Sequence, residues 1–326
     1  MLPYGRQTIE QDDIDAVVDA LKADFLTTGP KVHEFEQALT ALTGAKEAIV
    51  VGNGTHALHL ACLAAGLGRG DYAIVPTVTF LATANAVRYC GADVIFCDVD
   101  AETGLIDLSA LTKLLETHRN KSIKAILPVH LTGQIVDLAA LKSCINGSDI
   151  RIIADACHAI GGCKDDYIVG SSSIEDMSTF SFHPVKTIAM GEGGAITLND
   201  PELALKIRQL RSHGMEMTPE IGAWAYRMDQ LGFNYRATDF QCALGLSQLK
   251  KLERFKARRQ ELVALYNEQL TDLSPFVMPS KQVEGQHPAW HLYAARFDFD
   301  AIGKTRDQIM KDLRALGVGT QVHYIP

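Results

Sequence analysis

The sequence has no apolar run of the roughly 20 residues that a membrane-spanning helix requires. Its first residues, 1–6, also lack the apolar core of a secretory signal peptide. We therefore expect a cytoplasmic protein with no membrane partner.

Paired cysteines and metal-binding motifs are also missing. The seven cysteines are scattered without a C-x-x-C pair, which predicts reduced thiols and neither a disulfide framework nor a zinc site. The eleven histidines include no H-E-x-x-H or similarly spaced pair, so we predict no metal. The net charge of −8 argues against a nucleic-acid partner, which would be bound by a basic surface.

The chain does contain a regular alternation of strand and helix. Short apolar runs at 48–51, 72–75, 94–97, 125–129, 151–154 and 195–198 are typical of strands, and segments with helical spacing separate most of them. Such alternation predicts an α/β fold with a mostly parallel central sheet and helices on both faces. In such sheets ligands bind beyond the carboxyl ends of the strands.

The periodicity also predicts the secondary structure of the N-terminal and C-terminal parts of the chain. An amphipathic helix is expected from Thr8 to about Phe25, followed by the rest of a large domain over residues 1–240. Residues 241–326 are expected to hold most of a long helix, which starts at Thr238 and runs to about Leu270, and a smaller α+β domain. That domain would have short strands near 291–297 and 320–324 around a helix at 305–316 and, stopping on a strand, would be truncated.

A glycine turn, 52–57, follows the first predicted strand and leads into a helix. Free backbone N–H groups and the positive end of the helix dipole would meet there, which favours a phosphate. The turn has neither the G-K-[ST] of a Walker loop nor the third glycine of a dinucleotide fingerprint. An ordinary strand-to-helix connection is the alternative.

Three further residues fit a flat, charged cofactor. Asp155 ends a buried strand and needs a partner, which a protonated pyridine nitrogen would supply, although a helix N-cap is the alternative. His158 follows three residues later and could equally be a core histidine. Lys186 lies between Pro184 and a glycine cluster and favours a Schiff base with a carbonyl cofactor such as pyridoxal phosphate (PLP), unless it is an ordinary loop lysine.

In this order along the chain, the motifs resemble the DegT/DnrJ/EryC1/StrS family of nucleotide-sugar aminotransferases, which are PLP enzymes of fold type I. The segments that carry the resemblance span nearly the whole chain: 4–6, 26–30, 52–55, 155–159, 181–186, 191–194, 211–214 and 232–239. Related dehydratases have histidine in place of the Schiff-base lysine, so Lys186 argues against that activity. A desulfurase or aldolase would need a catalytic cysteine or a carboxylate clamp, and neither stands out.

The resemblance implies a role for each matching residue. Lys186 would form the Schiff base and shuttle a proton, Asp155 would pair with the pyridine nitrogen, and His158 would lie near the ring hydroxyl. Phe80 would stack on the ring, although an aromatic residue there is also typical of a core. The phosphate would be held by Gly54, Thr55 and Ser181, and further candidates for the sugar-nucleotide pocket are Tyr4, Thr28, Glu192 and His213. Asn234 would reach the phosphate of the other subunit's cofactor, which implies a homodimer with shared active sites.

The family chemistry implies an amino-acid donor, usually glutamate, and a keto sugar linked to a nucleoside diphosphate. The runs 230–236 and 243–252 are most similar to the branch that aminates C4 of a UDP-linked 4-keto-6-deoxy-N-acetylhexosamine on the route to pseudaminic acid. Amination at C4 or C3 of another nucleotide-linked keto sugar is one alternative. A non-catalytic relative with the same fold is the other.

Overall fold

The computed structural model describes residues 1–325. In this range the α-helices, numbered in chain order, are α1 Gln11–Lys22, α2 Pro30–Thr43, α3 Gly54–Ala64, α4 Leu81–Tyr89, α5 Leu108–Thr117, α6 Leu138–Cys144, α7 Pro201–Arg211, α8 Asp239–Leu249, α9 Leu252–Leu270, α10 Phe299–Ile302 and α11 Arg306–Ala315. The strands are β1 Glu47–Val51, β2 Asp71–Pro76, β3 Asp93–Cys97, β4 Ser122–Ile126, β5 Arg151–Asp155, β6 Cys163–Lys164, β7 Tyr167–Ile168, β8 Met177–Ser181, β9 Gly194–Leu198, β10 Met215–Met217, β11 Tyr226–Met228, β12 Val277–Pro279, β13 Gln286–His287 and β14 Ala295–Phe297. Single 3-10 turns lie at Leu131–Gly133 and Thr271–Leu273.

Seven of the strands form the central sheet, in the order β1-β9-β8-β5-β4-β2-β3. All pairings are parallel except those of β9, which runs antiparallel to both β1 and β8. The predicted mostly parallel sheet is therefore confirmed. Strand β8, which has no separate prediction, lies in the middle of this sheet and leads to Lys186.

Strand β1 shows why both faces of the sheet are covered. Ile49 and Val51 belong to one buried apolar cluster, whereas Ala48 and Val50 belong to another. Successive side chains of a strand point to opposite faces, so one apolar strand contributes to two cores. Helices α3, α4 and α7 complete the cluster that contains Ile49 and Val51. Helices α2 and α8 complete the cluster on the opposite face, and α5 and α6 pack in a third cluster on that same opposite face.

The prediction of a single long helix over 238–270 is wrong, because α8 and α9 are separate helices. The leucine spacing continues across the break, so periodicity gives no sign of it. At the break the Lys251 N–H donates to the Gln248 carbonyl at 3.0 Å. The Lys251 side chain turns onto α1, where its Nζ lies 2.8 Å from Oδ2 of the fully buried Asp13.

Three smaller differences concern element ends. Helix α1 is capped by Glu10, whose N–H donates to Asp13 Oδ2 at 2.9 Å, and not by Thr8. The hairpin of β10 and β11 is not among the strands predicted above. Residues 320–324 form no strand, and the Tyr324 ring is turned to the sheet edge instead.

The C-terminal part contains the short pair β12–β14, and β13 adds to the β6–β7 hairpin of the preceding part. The division into domains at residue 240 stays a prediction. Helix α11 closely matches the helix expected at 305–316. No helix among residues 1–325 is long and apolar enough to cross a membrane.

The Lys251 pair generates a stability prediction. Lys251→Met keeps the apolar stem but removes the cation from the buried Asp13 carboxylate, so it should destabilise the protein by about 3 kcal/mol and lower the melting temperature by about 5 °C. Calorimetry of the PLP-loaded protein measures this change. Lys31→Ala, which breaks an exposed pair with Glu34, is the control and should cost less than about 0.5 kcal/mol. A Lys251→Met protein that melts with the control would contradict the prediction.

Candidate active site

The sheet brings the main candidate residues to one edge. Strand β5 ends at Asp155, β8 ends at Ser181, and β2 ends shortly before Phe80. These strands belong to one parallel set, so their carboxyl ends lie on the same side. Ligands of open α/β sheets bind there.

Lys186 lies in the connection between β8 and β9, which is tied back on itself. The Phe182 N–H donates to the Gly193 carbonyl and the Met190 N–H donates to the Phe182 carbonyl, each at 2.8 Å. Burial lowers the pKa of Lys186 below its ordinary value, against the opposing effects of Cys157 and Asp155. A lowered pKa leaves more of the amine uncharged at neutral pH, as a nucleophilic lysine requires.

Asp155 is a buried carboxylate, 5% exposed. Its Oδ2 accepts a hydrogen bond from the Thr83 hydroxyl at 2.7 Å, and its Oδ1 accepts one from the Cys157 N–H at 3.2 Å. Thr83 is also linked to the Thr79 hydroxyl at 2.7 Å. Within residues 1–325 only uncharged groups donate to Asp155. A carboxylate in this state fits a cationic ring nitrogen, such as that of PLP.

The phosphate turn is built by close approach of two elements. A Cβ at Gly54 would lie 2.8 Å from the Ser181 Cβ and 3.4 Å from the Cys157 Sγ, so only glycine allows this approach. The Asn53 side chain accepts from the His56 N–H at 2.8 Å and thereby caps α3. Gly54, Thr55 and Ser181 thus lie together at a helix N-terminus, which fits the phosphate of PLP.

His158 is buried at the same edge. Its Nδ1 accepts a hydrogen bond from the Thr132 N–H at 3.3 Å, and its Nε2 lies 3.1 Å from the Tyr324 hydroxyl. Burial and the positive charges of Lys186 and His323 hold the pKa of His158 well below its ordinary value. The imidazole is therefore neutral and polar, and it neighbours the lysine.

Phe80 immediately precedes α4 and is 54% exposed, so it is not a core residue. Its ring centroid lies 5.6 Å from that of Tyr324. Tyr4 lies on the same side, with its ring centroid 5.6 Å from that of His323. Gly5 is close to the lysine loop, because a Cβ there would lie 3.8 Å from the Val185 Cβ.

The remaining candidates lie in turns around helix α8 and the end of α7. Thr28 has a left-handed backbone (φ 57°) and precedes Gly29, whose N–H donates to Asp239. Glu192 is exposed, and its carbonyl accepts from the Gln241 side chain at 2.9 Å.

His213 and Asn234 form the second group of outlying candidates. His213 also has a left-handed backbone (φ 64°), and Asn234 is exposed and bridged to Ser212 through the backbone. Within residues 1–325 no hydrogen bond joins Asn234 to Lys186 or Asp155.

Sequence reasoning missed four residues that surround this cluster. Thr83 orients Asp155, Thr132 donates to His158, Tyr324 contacts His158, and the His291 ring centroid lies 4.4 Å from that of His158. Thr79 and Thr83 are four residues apart next to a predicted site, which is a usable signal. The other three come from distant parts of the chain, and nothing local indicates their position.

Comparison with known proteins identifies the family of the chain. The sequence profile of the DegT/DnrJ/EryC1/StrS aminotransferase family matches residues 7–326. The spore coat polysaccharide biosynthesis protein SpsC of Bacillus subtilis is 37% identical over 331 residues, which cover 100% of this chain and 83% of SpsC.

Solved structures give the same result. Helicobacter pylori PseC, an aminotransferase involved in the biosynthesis of pseudoaminic acid, superposes with a TM-score of 0.90 and 30% identity over 99% of this chain and 84% of PseC. Spr1654 from Streptococcus pneumoniae in its PLP form gives 0.89 and 27% over 100% of this chain and 85% of that one. The chain therefore belongs to the DegT/DnrJ/EryC1/StrS aminotransferase family, and it is a PLP-dependent sugar aminotransferase of fold type I.

Proposed function

We propose that this protein transfers an amino group from glutamate to C4 of a UDP-linked 4-keto-6-deoxy-N-acetylhexosamine, for a bacterial surface sugar. The observation that carries the reaction type is the partly buried Lys186 amine, whose pKa is lowered by burial and acted on by the buried Asp155 carboxylate at the sheet edge. The similarity to PseC, an aminotransferase involved in the biosynthesis of pseudoaminic acid, supports a substrate from that kind of pathway. The similarity to SpsC supports a surface polysaccharide more generally.

The chemistry that PLP supplies when bound is an electron sink for the carbon that gains or loses the proton. We assign phosphate binding to Gly54, Thr55 and Ser181, and stacking on the ring to Phe80. Lys186 would supply the amine that holds the carbonyl carbon of the cofactor, and the same Nζ would take and return the proton at the reacting carbon. Asp155 would keep the ring nitrogen protonated, because its own buried carboxylate lacks a cationic partner within residues 1–325.

The wider pocket belongs to the substrate in this proposal. Tyr4 packs near His323 and precedes Gly5, which lies close to the lysine loop. We assign Tyr4, Thr28, Glu192 and His213 to the nucleotide or sugar. Only a substrate whose keto carbon reaches Lys186 can react. The seven free cysteines agree with a cytoplasmic enzyme, where thiols stay reduced.

We further propose that the working unit is a homodimer in which Asn234 contacts the cofactor phosphate of the other subunit. Asn234 is exposed, and the neighbouring hairpin region carries Trp224 and Leu231, each 78% exposed, and Ile221, 68% exposed. Large apolar side chains clustered on a surface mark a protein interface. A second copy would cover them.

The lysine assignment predicts selective labelling. When the protein is incubated with PLP and reduced with borohydride, Lys186 should be modified at a lower pH than surface lysines, because burial lowers its pKa. Peptide mass spectrometry after reaction at a series of pH values locates the label. Lys186→Ala should lose both the label and the visible absorption band, while Lys22→Ala should keep both. A label spread evenly over surface lysines would refute the assignment.

The substrate proposal is tested by products. With glutamate and a panel of UDP- and dTDP-linked keto sugars, we expect amination of the UDP-linked 4-keto-6-deoxy-N-acetylhexosamine at C4, as read by mass spectrometry and NMR. A product aminated at C3, or a preference for a dTDP sugar, would replace the substrate assignment and leave the transaminase intact. Conversion of bound PLP by glutamate without any sugar product would also contradict the substrate assignment and leave the transaminase assignment intact.

Shared sites predict complementation between two inactive variants. Each site of the dimer would take Lys186 from one subunit and Asn234 from the other. In a mixed dimer of Lys186→Ala and Asn234→Ala chains, one of the two sites receives both wild-type residues and is intact, and the other receives both alanines. Equal mixing after subunit exchange should therefore restore about one quarter of the wild-type activity. A mixture of Lys186→Ala with Asp155→Ala, whose groups lie in the same chain, is the control and should stay inactive. No recovery with Asn234→Ala would show that Asn234 does not act across subunits.

A further inference from the structure

The hydrogen bonds of His158 fix its tautomer. A backbone N–H can only donate, so the bond from Thr132 makes Nδ1 the acceptor. A neutral imidazole with an accepting Nδ1 carries its proton on Nε2. Nε2 lies 3.1 Å from the Tyr324 hydroxyl, so the Nε2–H donates and the tyrosine oxygen accepts.

The backbone around Thr132 is held in an uncommon conformation. Thr132 has a φ of 61°, which a β-branched residue rarely adopts. At the next position, Gly133, a Cβ would lie 2.4 Å from the Ala289 carbonyl oxygen. The Thr132 carbonyl also accepts from the His291 N–H at 2.8 Å. Such strain is kept where the surrounding structure fixes it, and here it aims an N–H at His158.

The Tyr324 hydroxyl therefore has an unused proton. Its oxygen accepts from His158, and within residues 1–325 the hydroxyl has no other hydrogen-bond partner. Burial and the nearby negative charge of Asp155 raise the pKa of Tyr324 well above its ordinary value, so the proton stays on the oxygen. A mostly buried hydroxyl that keeps a free donor is suited to a ligand acceptor.

The surroundings of Tyr324 indicate which ligand this is. Its ring lies 5.6 Å from that of Phe80, the residue assigned to the cofactor ring, and Asp155 is close enough to act on its charge. The other titratable groups that act on Tyr324 are Cys157 and Tyr4. Those that act on His158 are Lys186 and His323, with the His291 ring packed against it.

We infer that Tyr324 binds the cofactor: its hydroxyl, whose oxygen is held by His158, would donate a hydrogen bond to the ring oxygen of bound PLP. His158 is then a positioning residue that acts through Tyr324. This inference rests on the proposed function, because it requires PLP joined to Lys186. It goes beyond that proposal by naming a residue and the order of donors and acceptors from Thr132 through His158 and Tyr324 to the ring.

The consequence can be measured without substrate. A donor to the ring oxygen draws negative charge from it, so that oxygen holds the proton of the neighbouring lysine linkage less tightly. Tyr324→Phe removes the donor but keeps the ring, so the linkage should lose its proton at a higher pH. One hydrogen bond of ordinary strength corresponds to a rise of about one pH unit in the midpoint.

The test is a pH titration of the visible absorption of the PLP-loaded protein, with wild type, Tyr324→Phe and Tyr293→Phe compared. Tyr293 is the matched control, because its hydroxyl bonds to Asn267, away from the site. We expect a raised midpoint in Tyr324→Phe and an unchanged one in Tyr293→Phe. An unchanged midpoint in Tyr324→Phe would overturn the inference. If the midpoint is unchanged and KM for the keto sugar is raised, the hydroxyl binds the substrate and not the cofactor.

A second pair of variants keeps the test decisive if Tyr324→Phe folds poorly. His158→Gln can accept from Thr132 with its amide oxygen and donate to Tyr324 with its amide nitrogen, so its midpoint should match wild type. His158→Leu can do neither, and its midpoint should rise. Equal midpoints in the two variants would refute the positioning role. If wild type shows no lysine-linked absorption band at all, the proposed function fails and this inference fails with it.

Discussion

The buried negative charge of Asp155 is the constraint on which the site depends. Strand β5 delivers the carboxylate to the sheet edge, where its only hydrogen-bond donors among residues 1–325 are a threonine hydroxyl and a backbone N–H. An isolated buried charge is unfavourable unless an opposite charge compensates it. Asp155 therefore favours a cation on the ring that binds there, and its field also opposes the loss of the Lys186 proton that burial promotes.

Much of the architecture could be predicted from sequence, because it depends on local periodicity. The strands next to the phosphate turn and at Asp155 are short, apolar and bounded by turn residues, and the structure has them within a few residues of the expected positions. The break between α8 and α9 could not be predicted. At the break Lys251 contacts Asp13 across more than 230 residues, a long-range contact that the helical pattern of leucines does not indicate.

The same distinction applies to the site. Asp155 ends a strand, and Gly54 and Lys186 lie a few residues after strands, so the topology predicts that all three lie at the same edge of the sheet. The position of Tyr324 beside His158 does not follow, since it requires the packing of a segment with no regular secondary structure. Asn234 is a third case. The family resemblance implies its role, and within residues 1–325 it is exposed and makes no hydrogen bond to Lys186 or Asp155.

The reversed direction of β9 has a mechanical consequence. Because β9 starts at the edge where β8 ends, the lysine loop is anchored at both ends in the middle of the sheet. The segments around Tyr4 and Tyr324 lie outside this sheet. They are joined near residue 2, where the Leu2 N–H donates to Gly317 and the Gly319 N–H donates to Leu2, each at 2.7 Å. The lysine loop is thus held by the sheet, whereas the segments that carry Tyr4 and Tyr324 are held to each other.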